Sequence, residues 1–319
     1  MNNNFYVKKQ FLEVPLPMSC SFIYKLWIHL KGIVLLPIYL VMAYIVGVPG
    51  IGFHLRCIVI GVILLFTGRI SLKNCYHFFI YPMDSTRYFE FHEVWKSVKD
   101  LVFTRYLDVS SPRLIPLLIL KSVPDAIAEL INPDPRDLRE TEKMGIALGL
   151  KSRCEFSNDT LDKVRFPPAS FDLITCISVL EHIPQDKAII ESMWSLLNYG
   201  GKLILTFPCM AQPLEQYISH NPYGVLNPGD DGYTFWQRYY DRKRVESVIF
   251  SIIGMPTRIA VYGEKKYGYF LRNASLKRLL GPIYPFWRES YMMATEYQSF
   301  TSIDELPGEG VAFLEFIKS

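Results

Sequence analysis

Residues 169–208 read ASFDLITCISVLEHIPQDKAIIESMWSLLNYGGKLILTFP. The aliphatic and β-branched run over 171–178, with Asp172 at its head, has the composition of a buried strand. A loop with adjacent acid and base, Glu181-His182, follows it, and a helical stretch covers 185–197. Gly200-Gly201 marks a turn before a second apolar strand over 202–207. Two such strands joined through a helix make a right-handed parallel crossover unit, the building block of an α/β fold.

Working back from that unit, three further strands alternate with helices. RYLDV at 105–109 ends in Asp108-Val109, and a Ser110-Ser111-Pro112 turn leads into the apolar helix RLIPLLILK. A strand over 126–131 runs into Asn132-Pro133-Asp134, and a weaker one around 154–156 reaches Asn158-Asp159. Asp108, Asn132, Asp134, Asp159, Glu181 and His182 therefore stand at strand ends. Ligands of open parallel sheets bind at the carboxyl ends of the strands, so these residues outline a candidate site.

The chain has 319 residues, enough for one large domain with an appendage. A net charge of +3 without a long Lys/Arg run argues against a nucleic-acid partner. Six cysteines with no C-x-x-C spacing indicate neither a disulfide framework nor a metal site, and fit a reducing compartment. Mean hydropathy is +0.14, and the apolar excess is local. No Lys, Arg, Asp or Glu occurs from Gly32 to Leu55, a run broken by the turn signal Gly47-Val48-Pro49-Gly50. A second apolar run, CIVIGVILLFTG, follows Arg56.

A spanning helix needs about 20 apolar residues, which the first run meets and the second does not. With Lys25 and Lys31 before the pair and Arg69 and Lys73 after it, residues 1–80 read as a membrane-associated helical hairpin. Both ends would lie on the cytoplasmic face, ahead of a domain over 81–319. The alternative is a pair of buried core helices.

The block from about residue 105 to 208 resembles the class I S-adenosylmethionine-dependent methyltransferases, in particular the type-11 group. FPPASFDLITCISVLEHIP and NYGGKLILTFP carry the resemblance most clearly, and FWQRYYDRKRV, IAVYGE and GVAFLEFIK extend it. It implies a Rossmann-like, doubly wound, mostly parallel seven-stranded sheet, with S-adenosyl-L-methionine as cofactor.

By the same resemblance, Asp108 and the Ser110, Ser111, Pro112 turn would face the methionine part, with Arg87 just upstream of the first strand. The family's glycine-rich turn is replaced here by LDVSSPR, whose hydroxyls are candidates for a carboxylate. Asn132 or Asp134 would take the ribose, Asp159 and Thr160 the adenine, and Ser178, Val179 and Leu180 the edge of the cofactor.

His182 is the candidate general base, needed only when the methyl acceptor is a hydroxyl or similar acid; otherwise it shapes the loop. Trp236, Arg238, Tyr239 and Asp241 resemble the family's acceptor-side helix, within an aromatic-rich insertion that also includes His220 and Tyr223. Such a wall suits a small, glycan- or lipid-linked acceptor, and serves equally as packing. The implied activity is methyl transfer to oxygen by a membrane-associated enzyme. The competing expectation is an inactive, membrane-anchored interaction protein that keeps the fold. A nicotinamide-dependent dehydrogenase is disfavoured, because no Gly-x-Gly-x-x-Gly follows the first strand.

Overall fold

The computed structural model describes residues 7–12, 18–219 and 226–319. In chain order, a short strand β1 (Lys8–Leu12) precedes helices α1 (Phe22–Ile45), α2 (Ile51–Phe66), α3 (Leu72–Ile80) and α4 (Arg87–Val98). The alternating core follows: β2 (Arg105–Val109), α5 (Leu114–Ser122), β3 (Ile127–Ile131), α6 (Pro135–Ala147), β4 (Cys154–Ser157), β5 (Phe171–Ile177), α7 (Asp186–Leu196) and β6 (Leu197–Cys209). The last part contains β7 (Leu214–Ile218), β8 (Thr234–Tyr239), α8 (Arg242–Arg244) running through a π-helical turn into α9 (Ser251–Ile253), β9 (Arg258–Glu264), α10 (Tyr269–Leu280), α11 (Glu289–Glu296), β10 (Tyr297–Phe300) and β11 (Gly310–Ile317).

Strand alternation builds the two-faced core. Along β5, Leu173 and Ile177 pack with α4 and α5, while Ile174 and Cys176 turn to the opposite layer of α7 and Val245–Ile249. The sheet order is β10-β9-β11-β6-β5-β2-β3-β4, parallel from β6 to β4 and antiparallel from β6 to β10. The doubly wound, mostly parallel architecture expected from the sequence is therefore present. It carries eight strands rather than seven, because Tyr297–Phe300 adds an antiparallel edge to β9. Asp172 staples the lower edge of the sheet, accepting from the Thr104 and Arg105 backbone and from the Asn198 amide. Burial opposes its ionisation, but those hydrogen bonds hold its carboxyl down at about 2.

The apolar amino-terminal segment is fastened to this body. β1 pairs in parallel with β7, which pairs with β8, making a separate three-stranded sheet. α1 presents Gly32, Leu36, Leu40 and Ala43, one helical stripe, to the protein. A Cβ on Gly32 would come within 2.6 Å of the Trp287 ring. α2 packs on α4 through Phe53 against Phe91 and through Arg56 over Trp95.

Gly50, at φ +80°, opens α2 so close to α4 that a Cβ would lie 2.2 Å from the Tyr88 carbonyl. Gly50→Ala combines left-handed strain with a backbone clash, and should cost at least about 2 kcal/mol in denaturant unfolding. An unchanged midpoint would mean that α2 does not dock in this way.

Candidate active site

Asp108 is buried near the end of β2. It accepts from Thr175 Oγ1 at 2.6 Å, Tyr106 Oη at 3.3 Å and the Ser111 backbone N–H at 3.1 Å. Burial raises its carboxyl to about 6, against those hydrogen bonds. Asp108 thus braces the turn from beneath. Ser110 sits at φ +55°, the left-handed conformation that glycine adopts freely, and its N–H and hydroxyl both donate to the Ile131 carbonyl. Ser111 Oγ accepts the Ile177 N–H at 3.1 Å. The two hydroxyls therefore bind the protein's own backbone, and the glycine-like path of the turn is kept without glycine. Pro112, just beyond, accepts the Ile115 N–H at its carbonyl and starts α5.

At the end of β3, the Asn132 amide donates to Asp137 at 2.9 Å and its oxygen accepts the Asp134 N–H. Asp134 caps α6 through the Arg136 N–H and pairs with the Arg136 side chain, which holds its carboxyl below the usual range. The two ribose candidates are thus both engaged: Asn132, at the strand end, with Asp137 and the Asp134 N–H, and Asp134 in the cap of α6. Asp159 lies beyond β4, accepting the Thr160 N–H at 2.9 Å with Lys163 at 3.5 Å.

Just beyond the end of β5 stands Ser178, another non-glycine residue in the left-handed region, at φ +51°. Its N–H reaches Thr206, and its hydroxyl joins that of Thr206 in donating to Glu90, a fully buried carboxylate on α4. Glu90 so ties α4 to the exits of β5 and β6, one turn from Arg87. Arg87 Nη1 is 3.9 Å from Glu90 and buried without a hydrogen-bond partner. Val179 is half-buried and Leu180 buried on the way to the loop. Sequence reasoning misses Glu90; its one signal is an acid on the apolar side of YFEFHEVW.

Two more groups complete the mouth. Glu181 is buried and its Oε2 has no hydrogen-bond partner. Burial pushes its carboxyl up to about 8, the charge of Glu90 adds to this, and Arg87 opposes it. His182 Nδ1 lies 2.6 Å from the Trp236 carbonyl, a contact that fixes the proton on that nitrogen and leaves the lone pair on Nε2, 3.7 Å from Glu181. Burial lowers the imidazole to about 4, with Arg87 pushing the same way. At neutral pH the pair is an uncharged acid beside an uncharged base.

This predicts a pH signature. The folded chain holds the Glu181 proton up to about pH 8, whereas an unfolded carboxyl releases it near 4.5, so this group's contribution to stability is lost as pH rises through that window. Glu181→Gln should therefore gain thermal stability over the parent, by more at pH 8 than at pH 5. An advantage independent of pH would contradict the assignment.

The insertion departs from expectation. FWQRYYDRKRV does not form one helix: Trp236, Arg238 and Tyr239 lie on strand β8, and Asp241 caps the short α8 through the Arg244 N–H. The reason is pairing, since β8 gains a partner in β7. Arg238 is buried, pairing with Asp186 at 2.7 Å and donating to the Ile183 and Pro184 carbonyls. It clamps the loop that carries His182. Trp236 meets the His182 ring edge-on at 4.8 Å. Tyr239 is buried, and its hydroxyl accepts from the Gln237 amide. His220 and Tyr223 lie outside the described residues. No group of three or more His, Cys, Asp or Glu suited to a metal occurs among the described residues.

The family model described as a methyltransferase domain matches residues 125–205. The chain is 54% identical over 39 residues to a ubiquinone biosynthesis O-methyltransferase of Xanthomonas euvesicatoria pv. vesicatoria (strain 85-10), covering 12% of this chain and 16% of that protein. It is 46% identical over 39 residues to the protein of the same name from Idiomarina loihiensis, with the same coverage. The chain thus spans about a sixth of the length of these relatives. Among solved structures, that of the MccD protein is similar over 72% of this chain and 96% of its own, at 9% identity and a TM-score of 0.49.

Proposed function

We propose, from the methyltransferase domain that residues 125–205 carry, that the chain transfers a methyl group from S-adenosylmethionine to an oxygen of a lipid-linked acceptor. The observation that carries the reading is the convergence of the Ser110 turn, Asn132 and the Ser178 exit at the carboxyl ends of the adjacent strands β2, β3 and β5. The strand ends suit the cofactor: Ser110 and Ser178 give the backbone its glycine-like path. The buried, unpartnered Arg87 Nη1 and Glu181 Oε2 offer a donor and a proton-bearing acid at the mouth.

Arg87, the 110–112 turn and Asp108 beneath it would hold the methionine end, with Asn132 at the ribose and Asp159 and Thr160 at the adenine. Val179 and Leu180 would close the side. The bound cofactor supplies an already activated methyl on a positively charged sulfur. What the protein adds is alignment and exclusion of water. His182, held by the Trp236 carbonyl, keeps a lone pair to receive the acceptor's proton. Trp236 and Tyr239 would wall the acceptor, while Arg238 and Asp241 hold the frame.

The lipid-linked acceptor follows from α1 and α2. α1 is 24 residues long, with mean hydropathy 1.9 over its most apolar window and 22% of that window buried. The 32–43 stretch of α1 and the length of α2 are fastened to the domain, which favours lying in the plane of a bilayer over crossing it. The direct test is turnover with a membrane lipid extract as acceptor. His182→Ala should lower kcat at least about 100-fold while leaving affinity for S-adenosylhomocysteine within about threefold. An unchanged kcat removes the base role, and absence of any methylated lipid removes the acceptor class.

A further inference from the structure

A cavity of about 770 Å³ lies at the root of the helical hairpin, between α3, the 81–87 segment, the start of α5 and the length of α6. It runs from Pro112 and Arg87, beside the candidate active site, to Arg69 at the end of α2. Its walls combine apolar surface (Phe78, Tyr81, Leu114) with polar groups (Ser71, Asn74, His77).

Its charges do not cancel evenly. The three lining acids are each paired: Asp137 with Arg113 at 2.5 Å, Glu140 with Lys143 at 2.6 Å, and Asp84 with Lys277 at 2.9 Å. Among the described residues, Arg87 forms one ion pair, with Glu90 at 3.9 Å. Arg69 lines the cavity near Gly149, and its side chain has no ion pair or hydrogen bond among the described residues. His77 reports the resulting field. Burial lowers its pKa first, and Lys73, Arg113 and His29 all push in the same direction.

The apolar surface leads to the same place. On α2, Leu55, Val59, Ile63 and Phe66 are exposed at helical spacing, and Phe66 is 86% exposed. Leu72, 74% exposed, continues the stripe past Arg69. Contiguous exposed apolar surface of this kind marks an interaction face. A stripe for acyl chains ending at the unneutralised Arg69 above a polar cavity has the layout of one amphiphile's two halves.

We propose that this cavity binds the phosphate-bearing headgroup of an anionic lipid, with Arg69 as its principal cation and the lipid's chains lying along the exposed face of α2. The inference rests on the reading that α1 and α2 lie on a bilayer. It adds a selective site to a non-selective apolar contact, and places a membrane-derived ligand next to the turn that would hold the methyl donor.

The test is co-sedimentation of the full chain with vesicles of phosphatidylcholine alone and with phosphatidic acid added, comparing the parent, Arg69→Gln and Lys73→Gln. Lys73 neighbours the cavity without lining it, so its loss measures general attraction to an anionic surface, about fivefold per charge. The expected result is weak binding to neutral vesicles, tighter binding to anionic ones, and a loss of at least about thirtyfold for Arg69→Gln but only about fivefold for Lys73→Gln. Asn74→Asp, which puts a negative charge in the wall, should repeat the Arg69→Gln loss. Thermal melts establish that each variant is folded.

Equal losses for Arg69→Gln and Lys73→Gln would overturn the site, as would full competition by inorganic phosphate, which would make it a soluble-anion site. Binding to neutral vesicles without anionic preference overturns the site and leaves the bilayer reading standing. No binding to either vesicle overturns both.

Discussion

Ser110→Val is expected to reduce affinity for S-adenosylhomocysteine at least about 100-fold, while Ser110→Gly binds it at least as tightly as the parent. Ser110 stands at φ +55°, where a β-branched side chain is strained by about 1–2 kcal/mol before any crowding of the turn is counted. Valine would also remove the hydroxyl that donates to the Ile131 carbonyl, leaving a backbone acceptor with one partner fewer. Relief of both in the valine variant requires the turn to move, and the turn is where the cofactor's reactive end would lie. Glycine takes the same φ without strain, losing only the hydroxyl bond. Isothermal titration of both variants reads the difference. Equal affinities for valine and glycine would show that the turn does not meet the ligand.

The second large effect concerns the bilayer. Val59, Ile63 and Phe66 lie on the exposed face of α2, away from the buried Phe53, His54, Cys57, Gly61 and Leu64. Immersing such a side chain is worth roughly 1.5–3 kcal/mol, and replacing it with an aspartate forfeits that and adds a charge to be solvated. Val59→Asp, Ile63→Asp and Phe66→Asp together should lower vesicle affinity by at least about 1000-fold. Because these positions face away from the core, the melting temperature should stay within a few degrees. Vesicle flotation with thermal melts checks both. Retained flotation by a folded triple variant would assign the apolar face to something other than lipid.

The parts of the fold that are legible in the sequence are those set by local pattern. Leu173, Ile174, Cys176 and Ile177 form a run too apolar for anything but a strand covered on both faces, and β5 is such a strand. The Ser110 turn and the strand-end polar residues follow from the same alternation.

Residues tied to distant partners are not legible. Glu90 lies 116 positions from Thr206, and nothing in YFEFHEVW shows that its carboxylate receives two hydroxyls from β5 and β6. FWQRYYDRKRV resembles the family's acceptor-side helix, yet β8 pairs with β7, and through it with β1 at the opposite end of the chain. Arg238 resembles an acceptor contact for the same reason, whereas Asp186 and two carbonyls occupy its guanidinium. Asn132 and Asp134 are equivalent on paper and become distinct because Asp134 caps α6.

On the proposed reading, the carboxyl ends of β2, β3 and β5 hold the methyl donor. Calorimetric titration of the 319-residue chain with S-adenosylhomocysteine tests this most directly. The structure predicts saturable binding at one site per chain in the micromolar range, lost in Ser110→Val and kept in His182→Ala. A folded protein that gives no binding heat at any accessible concentration, and no shift in melting temperature with the ligand, would contradict it and leave the fold serving as a membrane-bound interaction module.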